Sequence, residues 1–165
     1  METKTESTRM LSLVVLYDMH TTFLAKALVG ISDEDAHKRL STKANHVAWL
    51  TGSLVQQRYE MAKHFGIERQ QSADELFKNN KGIQENVTYP PLDEFKKDFD
   101  KVTPELRDAL VHVSDVKLDE KFEMMPGFKM TYYELMTFMT YREASIIGQI
   151  ALWRRLLGYE GLKYD

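Results

Sequence analysis

The stretch from Thr131 to Gly158, TYYELMTFMTYREASIIGQIALWRRLLG, decides the fold. Thr131 has the acceptor side chain that a helix N-cap requires, and Glu134 stands three residues later, where its carboxylate can reach back and close a capping box. A helix is expected from about Tyr132. No proline interrupts it, Arg154 and Arg155 set cations against the C-terminal end of the helix dipole, and Gly158 can take the left-handed closing conformation. Its length is about seven turns. Tyr132, Met136, Met139, Glu143, Ile146, Ile150, Trp153 and Leu157 alternate steps of four and three, which keeps one stripe turned towards neighbouring helices. Only Glu143 breaks that stripe. Arg142 and Gln149 flank Ile146 at helical spacing, so polar groups border an otherwise plain core face and need water, a side chain or a ligand to meet them.

Outward from this helix, the chain's 165 residues fit a single domain, 1–165, with residues 1–8 expected to be flexible. A composition of 43% hydrophobic and 28% charged residues leaves no case for wholesale disorder. There are no cysteines, which excludes disulfides, thiolate catalysis and cysteine-based zinc sites. The net charge of -3 argues against broad nucleic-acid binding, which needs a clustered basic face. The apolar run Leu11 to Tyr17 is short, so neither a secretory signal nor a membrane span is expected, and a soluble cytoplasmic protein is the default expectation.

From Thr8 to Val29, residues Leu13, Leu16, His20, Phe23 and Ala27 recur at helical spacing before Gly30, giving helix one. Ser32 with Asp33 to Asp35 starts a short connecting turn of helix. Helix two should run from about Thr42 to Phe65. Its two stripes compete for the interior: His46, Trp49, Ser53, Gln57 and Glu60 on one, and Val47, Leu50, Leu54 and Met61 on the other. Both are not expected to be fully buried. Between Gly66 and Pro91 a long connection holds a short helix, Ala73 to Asn79, capped by Ser72 with Glu75. Helix three covers about Leu92 to Val113, where Pro104 either kinks or restarts it. Ser114 to Lys129 reads as irregular, with a turn at Pro126-Gly127. With no convincing strand pattern, the class is all-α, a four-helix bundle with short connecting helices.

Two segments carry a resemblance. Arg142-Glu143-Ala144-Ser145-Ile146-Ile147-Gly148-Gln149, followed by Arg154-Arg155-Leu156-Leu157-Gly158, resembles the last helix of the DinB-like (damage-inducible, YfiT-like) superfamily. That segment typically reads His-x-x-x-His-x-Gly-Gln and ends in an Arg-Arg-Leu-Leu-Gly type terminus. Asn45-His46-Val47-Ala48-Trp49-Leu50-Thr51-Gly52-Ser53-Leu54 is similar to the family's Asn-His-x-Ala-Trp-x-x-Gly-His-Leu. The resemblance is specific at these two segments and weak through residues 66–130. It implies a four-helix bundle, a homodimer, and three histidines that hold a divalent metal such as nickel or zinc in thiol-dependent transferases or metal-dependent hydrolases. On this register the three ligand positions are Ser53, Arg142 and Ile146. A hydroxyl is a poor ligand, a guanidinium stays charged and isoleucine has no donor, so the metal is not expected here.

Two readings of Arg142 remain open. It pairs with Glu60 or another carboxylate and replaces the metal as a structural positive centre, or it forms a pocket with Ser53, Gln57, Gln149 and His46 for a small anionic ligand. The protein is then a small-molecule-binding or interaction protein, with no nucleic acid or membrane as partner. Alternatively it is a divergent metal- or thiol-dependent transferase or hydrolase with a relocated site, for which His20, His46 and Glu143 are the candidates. Helix counting puts His20 near the level of Ser53. Direct action on DNA rests on the family name alone, against the charge balance.

Overall fold

Helix ends in this chain are set by side chains that satisfy the free N–H groups of a first turn. In the computed structural model, which describes residues 4–165, Ser7 caps a single 3-10 turn, Thr8–Met10, that leads into α1, Leu11–Leu28. Of the residues expected to be flexible, 1–3 lie outside those described, while the Glu6 N–H donates to the Val111 carbonyl (2.8 Å) and the Ser7 hydroxyl to Asp115 (2.6 Å). Ser32 caps α2, Asp33–Ala36, as expected.

Helix two, α3, spans Val47–Lys63 and so starts five residues later than the sequence suggested. Leu40 and Ser41 take left-handed conformations (φ 46° and 58°), which end any helix there, and His46 provides the cap by accepting the Trp49 N–H at Nδ1 (3.1 Å). The short helix α4 is Asp74–Phe77, and its expected Ser72–Glu75 box does not form. Ser72 instead turns its N–H (2.6 Å) and hydroxyl (2.7 Å) to Asp98 on α5, Leu92–Val111. Helix α5 runs through Pro104 without interruption.

The region read as irregular is ordered. Ser114 caps α6, Asp115–Asp119, and an antiparallel hairpin follows: β1, Lys121–Met125, against β2, Phe128–Thr131. Gly127 supplies the positive φ (80°) at its turn. The hairpin corrects the expectation of no strands. Its two strands are mostly exposed and lack clean alternation, and Phe122 anchors it by stacking on Tyr132 (4.9 Å between centroids) and against His64 (4.8 Å). The last helix, α7, is Tyr132–Leu156 and has the full capping box: the Glu134 N–H donates to Thr131 Oγ1 (3.1 Å), and the Thr131 N–H to the Glu134 carboxylate (2.7 Å).

The described chain is therefore mostly helical, with one small two-stranded sheet. Helices α1 and α3 each pack against both α5 and α7. Of the two stripes of α3 the apolar one is fully buried and the polar one largely so: from Val47 to Tyr59 every residue is buried except half-buried Trp49, and Glu60 at the end of the polar stripe is half-buried. The connection after α3 covers its outer side. A Cβ on Gly52 would lie 2.2 Å from Phe77 and 2.7 Å from Phe95, so glycine is what lets those rings close over the helix. The stretch Thr8–Leu28, at 21 residues and mean hydropathy 1.2, is long and apolar enough to cross a membrane by length and composition. Here one face of it packs inward, with buried His20 and an Asp18 carboxylate held by Arg107 at 2.6 and 2.7 Å.

Candidate functional site

Glu143, the one charge in the α7 stripe, is met by Arg58 from α3. Arg58 donates Nε to Oε1 (2.7 Å) and Nη2 to Oε2 (3.0 Å), and Nη1 reaches Thr21 on α1 and Thr103 on α5, both at 2.9 Å. Its guanidinium lies between the rings of Tyr17 (4.0 Å) and Phe99 (4.3 Å). One arginine thus bonds to all three other long helices. His20 adds Nδ1 against Glu143 Oε2 at 3.2 Å. Burial alone would raise the Glu143 carboxyl, but Arg58 and His20 outweigh it and hold the group below the usual carboxylate range. Burial likewise depresses Arg58, and Glu143 and Tyr17 more than restore it. This is a closed, satisfied network.

A second polar group lies further along α3. Arg142 Nη2 donates to Ser53 Oγ at 3.0 Å, so two of the three positions at which the resemblance puts ligands do meet. Ile146, the third, is buried hydrocarbon. Arg142 is half-buried; burial pushes its guanidinium below the ordinary range, and the carboxylate of Glu60 partly offsets this. The direct Arg142–Glu60 ion pair expected as one possibility is not formed. Glu60 accepts instead from Gln56 Nε2 (3.1 Å), and among the described residues no carboxylate lies within 4.0 Å of the Arg142 guanidinium.

Two cavities open at this point. The larger, about 300 Å³, lies between α3, α7 and the hairpin and is walled by Met61, Phe122, Met124, Leu135, Phe138 and Met139. The smaller, about 90 Å³, is bordered by Trp49, Ser53, Gln56, Phe77 and Lys81. Arg142, Glu60 and Asn80 line both.

The remaining expected residues go elsewhere. Gln57 is fully buried and donates Nε2 to the Met139 carbonyl (2.9 Å). Gln149 is exposed, and its amide turns back to the Ser145 carbonyl on its own helix (3.5 Å), so it does not join Arg142. His46 caps α3 seven residues before Ser53, about 10 Å away along the helix. Its ring is packed against His37 and Tyr89. His20 is not level with Ser53: Thr21 meets Arg58, which places Ser53 about 7.5 Å further along α3. Arg58, absent from the sequence-based candidates, is the central residue. The available signal was Glu143 itself, because a lone carboxylate in a core stripe demands a cation.

These donors do not fit the divalent metal that the resemblance implies. A guanidinium occupies one of the positions at which the resemblance puts an imidazole, and both oxygens of Glu143 are held by Arg58. Among the described residues no three His, Cys, Asp or Glu side chains are placed to hold an ion. No protein-family model matches the chain, and no curated protein matches it.

Proposed function

We propose that this chain is a DinB-like four-helix bundle in which Arg142 stands where the family holds a metal, and that it binds a small ligand carrying an anionic group. The observation that carries this reading is the Arg142–Ser53 hydrogen bond at the mouth of the cavities, with the guanidinium otherwise free of carboxylate partners among the described residues. A half-buried guanidinium with N–H groups that no protein acceptor takes up favours a planar, two-oxygen acceptor such as a carboxylate. The same convergence of Ser53 and Arg142 supports the DinB-like register. On this reading the protein works in the cytoplasm as a homodimer, without nucleic acid or membrane as partner.

The relocated-enzyme reading would draw on His20, His46 and Glu143. His46 lies about 18 Å along α3 from Arg58, which holds Glu143, so no observation favours that set. The test is titration calorimetry with 3-phenylpropionate. The wild type is expected to bind it, and Arg142→Gln to weaken binding about tenfold or more at unchanged thermal midpoint. A variant that loses stability but binds as before would make Arg142 a structural charge only.

A further inference from the structure

The site that Arg142 lines carries charges of both signs, and that narrows the ligand: Arg142 and Glu60 line both cavities, while Lys81 borders the smaller one with its Nζ turned to the Glu75 carbonyl (2.8 Å). Glu60 accepts one hydrogen bond at Oε1, from Gln56, and among the described residues its Oε2 accepts none. Arg142 uses one N–H on Ser53. The two groups line the same two cavities without coming within the 4.0 Å of an ion pair, so a gap separates them. A simple carboxylate placed on Arg142 would face the Glu60 charge, and an amine placed on Glu60 would face Arg142. A molecule with no charged group would leave both partly buried charges unmatched. A molecule bearing an ammonium and a carboxylate side by side satisfies both at once.

The rest of the wall is mostly apolar, with Met61, Phe122, Met124, Leu135, Phe138 and Met139, and His64 and Asn80 are its other polar side chains. At about 300 Å³ this cavity is at the small end of the range for ligand pockets, roughly 300–1,000 Å³. Thioether and aromatic side chains of this kind suit an aliphatic, aromatic or thioether group. Resting on the Arg142 reading above, we infer that the ligand is a free amino acid with an apolar side chain, its carboxylate on Arg142 and Ser53, its ammonium on Glu60, and its side chain under the hairpin. Phe122 and Met124 make the hairpin the element that selects the side chain.

The test is titration calorimetry of the full chain with L-phenylalanine, L-leucine and L-methionine, and with 3-phenylpropionate and 2-phenylethylamine as the single-charge counterparts of phenylalanine. At least one amino acid should bind, and for phenylalanine the preference over either counterpart should be about tenfold or more. Glu60→Gln should remove that preference while leaving 3-phenylpropionate bound as well as before or better, and Arg142→Gln should weaken both carboxylates. Circular dichroism and the thermal midpoint of both variants should match the wild type. If 3-phenylpropionate binds as tightly as the amino acids and Glu60→Gln changes no ratio, the zwitterion inference is overturned while the anion reading stands. If a folded wild type binds none of these probes, both are overturned.

Discussion

Arg58 and Arg142 sit on the same side of one polar problem, yet only Arg142 was visible in the sequence. Arg142 was singled out because the DinB-like resemblance, on the register set by Gly148-Gln149, puts a histidine at its position. Arg58 falls four residues after Leu54 and three before Met61, at the border of the apolar stripe of α3, but that pattern gives a lone arginine no partner, and its burial follows only when α1 and α5 close over it. With 0% of its surface exposed against 2% for Glu143, the pair is fully removed from water. Breaking such a pair strands a buried charge, at a cost of about 3–5 kcal/mol, whereas replacing both partners with apolar groups of similar volume is often neutral. Arg58→Met should therefore lose about 3–5 kcal/mol in urea denaturation, and Arg58→Met with Glu143→Leu should regain most of it. A single variant within about 1 kcal/mol of wild type would show that the network does not hold the helices together.

Local chemistry made some elements legible and tertiary chemistry hid others. The start of α7 was readable because Thr131 and Glu134 settle it between themselves, and both cavities depend on that helix for Arg142, the larger also for Phe138. The start of α3 was not, because a histidine caps it after a turn with two left-handed residues. Nor was the hairpin, whose strands gain their place from Phe122 on Tyr132 rather than from alternation. The α3 cap has a pH signature. Nδ1 of His46 must keep its lone pair to accept the Trp49 N–H, and burial, then the charges of His37 and Arg39, push the ring from the ordinary 6.5 down to about 4. The folded pKa lies below the unfolded one, so the unfolded chain takes up the proton first. Stability is full above about pH 6.5 and is lost as pH falls from there towards about 4. His64, depressed by burial and Lys117, acts in the same direction. His46→Asn keeps an acceptor at the cap, so its loss of thermal midpoint between about pH 7 and about pH 5 should be smaller than that of wild type. Parallel profiles would contradict this.

Over the whole molecule, the mostly helical class and the order of the long helices followed from periodicity, while the wrapping of α3 by the connection after it did not, since that depends on Gly52 admitting Phe77. The outer face of α7 presents Tyr141 (70% exposed), Leu152 (58%) and Leu156 (56%), with open space beside Gly148. The proposed homodimer would use this face. Light scattering should then give twice the mass of one chain for the wild type and a single-chain mass for Leu152→Glu; a single-chain wild type would contradict the dimer. The proposed role of Arg142 as the group that holds the ligand is tested most directly by following its side-chain nitrogen resonance, assigned by its loss in Arg142→Gln, during titration with 3-phenylpropionate. A saturable shift of that resonance is the predicted result. Saturable binding that leaves it unmoved, or a folded protein that binds nothing, would contradict it.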